Sequence, residues 1–218
     1  MERHILVVLP HPDDESFGLA GTLAMHIAQG TQVTYGCLTL GEMGRNMGIP
    51  PFATRVTLPA IRKLELEASC RAIGIQDLRL LGFHDKTIEF EDRDLLDGCI
   101  ESLIREVKPT LIVTFYPGYS VHPDHEACGA AVVRAVRRLP VGQRPPVHAI
   151  AFSKNHEEAI GKPDIVNDVK DYLPQKKASI ESHRSQFQAA ELLGSQQWGE
   201  QEFLDRFGTE RFWTYPID

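Results

Sequence analysis

Two short stretches carry nearly all the chemistry in this sequence: Leu9-Pro10-His11-Pro12-Asp13-Asp14-Glu15, and, far downstream, His122-Pro123-Asp124-His125. Together they hold three histidines and several carboxylates, the side chains that bind a divalent metal and move protons beside it. Each stretch follows an apolar run of strand length, Ile5-Leu6-Val7-Val8-Leu9 in one case and Leu111-Ile112-Val113-Thr114-Phe115 in the other. Both motifs are thus expected where a buried strand ends. In open α/β sheets the carboxyl ends of the strands are where ligands bind, so the two motifs are expected to meet in one crevice.

Catalytic zinc takes three protein ligands and keeps one position open. His11 and Asp14, three residues apart on a tight turn, can reach one ion, and His125 can complete the set from the other strand. Asp13 is then left over as a carboxylate beside the metal, suited to act as general base toward a water. His122 is placed to stabilise a developing oxyanion as an imidazolium, or to protonate a leaving amine. Asp124 can hydrogen-bond an imidazole and hold its tautomer. Pro12 and Pro123, with fixed φ and no N–H, stiffen the two turns. Taken singly, each string reads equally well as a helix N-cap, since Asp13 or Asp14 could accept from a helix start. Two such strings at two strand ends favour metal binding.

The elements that must position these residues alternate between strand-length and helical periods, the pattern of βαβ units. Strands are expected at 5–9, 33–40, 78–81, 110–115 and 147–153, and helices at 15–29, 58–73, 92–107, 124–138 and 175–193. In the helix over 58–73, Ile61, Leu64, Ala68 and Ala72 fall on one side, and Arg62 and Glu65 share a face at i, i+3 spacing. The loop through Gly41, Gly44 and Gly48 to Pro50 and Pro51 is expected to be irregular and to cover the site. The expected fold is a Rossmann-like three-layer α/β/α sandwich with a mostly parallel sheet, as a single domain over 1–218.

At 218 residues a chain buries roughly 70% of its unfolded surface and needs no structural metal, which makes any metal here chemical. A net charge of −7 with mixed signs argues against nucleic acid as a partner. No apolar stretch approaches membrane-span length and no secretory leader pattern opens the sequence. Cys37, Cys70, Cys99 and Cys128 show no CxxC spacing and lie in apolar segments, as expected of reduced, buried thiols. The expectation is a cytoplasmic protein acting on a small molecule, and a homo-oligomer.

The order of Pro10-His11-Pro12-Asp13-Asp14-Glu15, Gly41-Glu42-Met43-Gly44, Arg62 with Glu65 before Gly74, Leu81-Gly82-Phe83-His84-Asp85, His122-Pro123-Asp124-His125 and His183-Arg184-Ser185-Gln186 resembles the LmbE/PIG-L family of zinc-dependent N-acetylglucosaminyl deacetylases. The likeness extends to about residue 190. Through residues 39–48 and 85–90 it is most similar to the bacillithiol-pathway enzymes that act on N-acetylglucosaminyl malate. The resemblance implies zinc on His11, Asp14 and His125, with iron(II) competing on similar ligands, Asp13 as base and His122 as its electrophilic or acid partner. It also implies that Glu42, Arg62 and Asp85 line or support the sugar pocket, with Arg62 able to grip a malate carboxylate bidentately. A surface ion pair of Arg62 with Glu65 is the plainer alternative. Some relatives carry a carbonyl-polarising tyrosine where this chain has Ser120, with Tyr116 and Tyr119 nearby. His84 reads as an exposed loop histidine, Cys128 as a buried helix cysteine, and His183 as either a brace behind the site or a surface residue.

The resulting expectation is hydrolysis of an N-acetyl group from a glucosamine conjugate, N-acetylglucosaminyl malate first, with a chitin disaccharide or a mycothiol-type conjugate as alternatives. A metal-dependent phosphoesterase and a non-catalytic sugar-binding protein are the rivals from other classes.

Overall fold

The structure, a computed structural model, describes residues 2–187 and 200–217. Its centre is β1 (His4–Leu9), in which Ile5 to Leu9 are all fully buried. Ile5, Val7 and Leu9 face one hydrophobic cluster while Leu6 and Val8 face another. Both faces being covered explains why this strand is a continuous apolar run. β1 pairs in parallel with β2 (Gln32–Cys37) and with β4 (Leu111–Phe115); β3 (Asp77–Leu80) extends the sheet beyond β2, and β5 (Val147–Ile150) extends it beyond β4. The chain therefore winds outward in both directions from the β1/β4 pair. That reversal is the crevice in which doubly wound sheets bind ligands, and both histidine motifs leave the sheet there.

One layer above the sheet contains α1 (Asp14–Gly18), α2 (Ala20–Ala28), α3 (Leu58–Ile73) and α7 (Leu173–Ser182). The other contains α4 (Arg93–Val107) and α5 (Pro123–Arg137). The three-layer α/β sandwich is thus present. α6 (His156–Ile160) and α8 (Glu200–Phe207) complete the helices described. None of the described helices is long and apolar enough to cross a membrane.

Four local expectations change. The helix expected over 15–29 is broken at Leu19, where φ is −149°. Glu210 drives the break: its carboxylate accepts from the amides of Gly21 (3.1 Å) and Thr22 (2.7 Å), capping a new helix start, and pairs with Lys176 at 2.8 Å. On α3 the buried residues are Leu58, Arg62, Glu65, Leu66, Ser69, Cys70 and Ile73, whereas Leu64 is 64% exposed. The helix turns its polar stripe inward because that stripe supports the site. The sheet also gains two strands from the region that looked irregular, β6 (Ile165–Asp168) and β7 (Thr209–Thr214). β7 is antiparallel to both β5 and β6, giving the order β3-β2-β1-β4-β5-β7-β6. The late helix ends at Ser182, and the part of that expectation beyond residue 187 lies outside the described residues.

Candidate active site

The turn after β1 is short and strained. Asp13 has a φ of 96°, a left-handed conformation uncommon outside glycine, and its amide is held by Glu15 Oε2 at 3.0 Å. Asp13 makes no cap hydrogen bond to α1, and Asp14 Oδ2 accepts from the His11 amide at 2.8 Å, upstream of the helix in sequence. The capping alternative therefore does not describe these aspartates. In the second motif a cap does exist, but it is His122: its Nδ1 accepts from the Asp124 amide at 3.1 Å at the start of α5. Val121, a β-branched residue just before it, sits at φ 67°, so this turn carries strain as well.

The turns bring His11, Asp14 and His125 together. Asp14 Oδ2 lies 3.3 Å from His11 Nδ1, and Asp14 Oδ1 lies 3.2 Å from His125 Nε2. The outward nitrogens of both rings are committed elsewhere. His11 Nε2 is 3.0 Å from Asp124 Oδ2 and 3.2 Å from Asp85 Oδ1, while His125 Nδ1 is 3.1 Å from the carbonyl of Ser120. Phe115 stacks on the His125 ring at 4.0 Å and fixes its plane. A ring nitrogen whose partner nitrogen donates to a carboxylate or carbonyl is the arrangement found in histidines that ligate metals. Ring nitrogens of His11, His122 and His125 also lie within 4.8 Å of one another. Burial works against charge here, yet His125 and His11 hold the Asp14 carboxyl far below the usual range. Burial likewise opposes charge on His11, but Asp14, Asp124 and Asp85 raise it well above the ordinary histidine value. This half-enclosed cluster of carboxylates and imidazoles attracts positive charge, and its N,N,O donor set fits a divalent cation such as zinc or iron(II).

Asp13 is held at Oδ2 by Arg62 Nη2, 2.8 Å away, and its Oδ1 has no hydrogen-bond partner among the described residues. Burial pushes its carboxyl up to about 6 against the pull of Arg62, with Asp14 adding to the rise. Arg62 is 3% exposed, and its guanidinium also donates to the carbonyls of Pro12 and Gly41. Gly41 is required for this approach: at φ 62° a Cβ there would lie 1.9 Å from Arg62 Nη1. Arg62 thus braces Asp13 and two backbone carbonyls through its terminal nitrogens while still lining the cavity, and its buried Nε has no hydrogen-bond partner among the described residues. The surface ion pair with Glu65 is absent; Glu65 instead accepts from the amide and hydroxyl of Ser185, at 2.7 and 2.6 Å.

Asp85 and Glu42 support the pocket wall. Glu42 Oε2 accepts from the Asp85 amide at 3.1 Å, and Asp85 Oδ2 accepts from the Met43 amide at 2.8 Å, stapling the 41–44 loop to the turn after β3. Burial alone would raise Asp85, but hydrogen bonding to His11 brings it down to about 2. Asp124, fully buried, carries the Lys86 amide (2.7 Å) and His11 on the same Oδ2. Burial, with His11 and His125 alongside, holds His122 below the ordinary histidine value. With Nδ1 accepting from the helix start, the neutral ring carries its proton on Nε2.

A cavity of about 330 Å³ is lined by His11, Asp13, Asp14, His122 and His125, with Arg45 and Lys86 among its other walls. Its described lining contains no tyrosine; Tyr116 and Tyr119 pack on each other, and Ser120 is buried, its hydroxyl donating to the Tyr116 carbonyl. A larger cleft of about 820 Å³ near Ile49 and Phe52 contains none of the histidines. His84 is exposed, and Cys128 is buried against the carbonyl of Val8. All four cysteines are free, and three are buried. Behind the cluster lies a buried network: Glu15 meets His183 at 2.6 Å, Ser16, Ser69 and the Tyr35 hydroxyl, with Ser179 bridging the two serines. Of the two readings of His183 the structure has the buried brace, while Ser69 and Ser179 carried no signal in the sequence.

Comparison with known proteins follows the same lines. Residues 6–136, more than half of the chain, match the PIG-L family, described as GlcNAc-PI de-N-acetylase. A Bacillus cereus protein named probable N-acetyl-alpha-D-glucosaminyl L-malate deacetylase 2 is 51% identical over 217 residues, covering 99% of both chains. Its Bacillus subtilis namesake is 48% identical over 217 residues, covering 99% of this chain and 98% of its own. Among solved structures, the N,N'-diacetylchitobiose deacetylase of Pyrococcus horikoshii superposes with a TM-score of 0.75 at 25% identity, covering 99% of this chain and 84% of that one. A Pseudomonas putida 4-carboxy-2-hydroxymuconate hydratase also superposes, with a TM-score of 0.74 at 20% identity over 98% of this chain and 97% of that one. The sheet thus serves more than one reaction, and function must be argued from the site. Matched by the family through both histidine motifs, and by relatives near half identity along its length, the chain belongs to the PIG-L family.

Proposed function

We propose that this protein hydrolyses the N-acetyl group of N-acetylglucosaminyl malate, releasing acetate and the free glucosaminyl amine, with zinc or iron(II) held by His11, Asp14 and His125. The observation that carries the reading is the convergence of His11 Nδ1 and His125 Nε2 on the Asp14 carboxylate, with Asp13 and His122 beside them and not needed as ligands. The names of the half-identical relatives support the substrate. Free, mostly buried cysteines are in keeping with a cytoplasmic setting.

When bound, the metal supplies a Lewis acid that polarises the amide carbonyl and lowers the pKa of water. Asp13 Oδ1 takes the proton from the attacking water, while Arg62 holds Oδ2 and fixes the carboxylate's direction. A base raised to about 6 is ionised near neutral pH yet basic enough to accept a proton. His122 donates from Nε2 to the oxygen on which negative charge develops. As the C–N bond breaks, the proton held by Asp13 passes to the departing nitrogen. Asp124 and the Ser120 carbonyl keep the outward nitrogens of His11 and His125 protonated, so the inward nitrogens stay available.

The test is Asp13→Ala, assayed for acetate release from N-acetylglucosaminyl malate alongside metal content. Metal should be retained while kcat falls at least about 10²-fold, the size of a general-base contribution. A near-normal rate would remove Asp13 from the base role.

A further inference from the structure

Two cations at the cavity have no part in the chemistry above. Arg45 and Lys86 both line it, both are exposed, and neither side chain has an ion-pair or hydrogen-bond partner among the described residues. The third cation in the lining, Arg62, is committed to Asp13 and two carbonyls.

The backbones beneath the two free cations are pinned although their side chains are not. Arg45 sits between Gly44, whose carbonyl accepts from Arg55 at 2.8 Å, and Asn46, which exchanges hydrogen bonds of 2.8 and 3.2 Å with Gln186. Lys86 adopts a left-handed φ of 65°, and its amide is tied to Asp124 Oδ2, the carboxylate that also orients His11. Two separate loops thus hold a positive group at the wall from fixed roots. The rest of the titratable wall includes Asp13, Asp14 and Asp85, an acidic surface that repels an anionic ligand unless cations offset it. An arginine fork suits bidentate binding of a carboxylate, and a lysine ammonium supplies a point charge.

We infer that Arg45 and Lys86 form an anion subsite that binds the carboxylates of a dicarboxylate aglycone and selects such conjugates over uncharged ones. The inference rests on the deacetylase reading above and adds the residues that choose the aglycone. Cations at the cavity also steer a dianion toward it, an effect that salt screens.

The experiment compares N-acetylglucosaminyl malate with its dimethyl ester, which keeps the shape and removes both charges, on metal-loaded wild type, Arg45→Gln, Lys86→Gln and the double variant. Wild type should prefer the diacid. Each single substitution should lower kcat/KM for the diacid about ten- to a hundred-fold through KM, the size of one charge-assisted contact. The ester should lose at least tenfold less, and Arg45→Lys should recover part of the diacid rate. In the double variant the diacid preference and its salt dependence should vanish. Equal losses on both substrates, or a diacid preference that survives in the double variant, would overturn the subsite and leave the deacetylase reading intact. A wild type that releases acetate from the ester or from plain N-acetylglucosamine but not from the diacid would instead overturn the malate reading, and the subsite with it.

Discussion

The buried pair of Glu15 and His183 is where a single side chain should matter most to stability. His183 Nε2 lies 2.6 Å from Glu15 Oε1 and both side chains are 0% exposed. Burial opposes charge on each, yet attraction to the partner lowers Glu15 and raises His183, so the ionised pair is the buried form. His183→Leu removes the cation and leaves a carboxylate in the interior, a change that costs about 3–5 kcal/mol. Donors remain to Glu15 from Ser16, Ser69 and the Asp13 amide, which places the expected loss near the lower end. At about 2–4 °C per kcal/mol for a domain of this size, a loss of about 3 kcal/mol lowers Tm by roughly 6–12 °C. His183→Gln keeps a neutral donor and should lose less than half as much. Urea unfolding with an unchanged m-value measures both. Because Glu15 Oε2 also holds the Asp13 amide, kcat should fall in the leucine variant even at temperatures where it is fully folded. A loss below about 1 kcal/mol, or equal losses for Leu and Gln, would refute the idea that this ion pair anchors the site.

Three further outcomes follow from the geometry. Asp124→Asn should weaken metal binding about 10–100-fold, since it disturbs the acceptor that orients His11, and competition with a chelator reads this directly. Gly41→Ala should cost about 10²-fold in kcat by displacing the Arg62 guanidinium that aims Asp13; a rate within a few-fold of wild type would show that Arg62 can be moved freely. His26 and His148, both at the opposite end of the sheet from the motifs, are held below the ordinary value of 6.5 by burial. The unfolded chain therefore binds more protons than the fold below about pH 6.5, so stability falls as pH drops through that value and the loss is complete below their folded values. His26→Gln with His148→Gln should flatten the slope of stability between pH 7 and 5.5 relative to wild type, and an unchanged slope would count against it.

Much of the fold was legible because strands buried on both faces are nearly continuous apolar runs, as at 5–9 and, Thr114 apart, at 111–115. α3 was bounded correctly at Leu58–Ile73, with Pro59 at its start and Gly74 at its left-handed end. Its inward face was misread because hydrophobic periodicity treats Arg62, Glu65 and Ser69 as solvent-facing, and only their partners on other elements make burial affordable. The break between α1 and α2 was illegible for a similar reason: the residue that caps α2 is Glu210, almost two hundred positions away.

Residue types and strand ends were enough to nominate the donor set, because a histidine or aspartate has few uses at the end of a buried parallel strand. What the sequence could not decide is direction. Which nitrogen of His11 faces Asp14, where the proton sits on His122, and whether Arg62 meets a substrate or Asp13 depend on contacts spanning between 2 and 113 residues. Such contacts are set by the sheet order and by hydrogen bonds that exist only once the layers have packed. Local patterns have no access to them, so the chemistry could be read along the chain while its aim was settled by the tertiary fold.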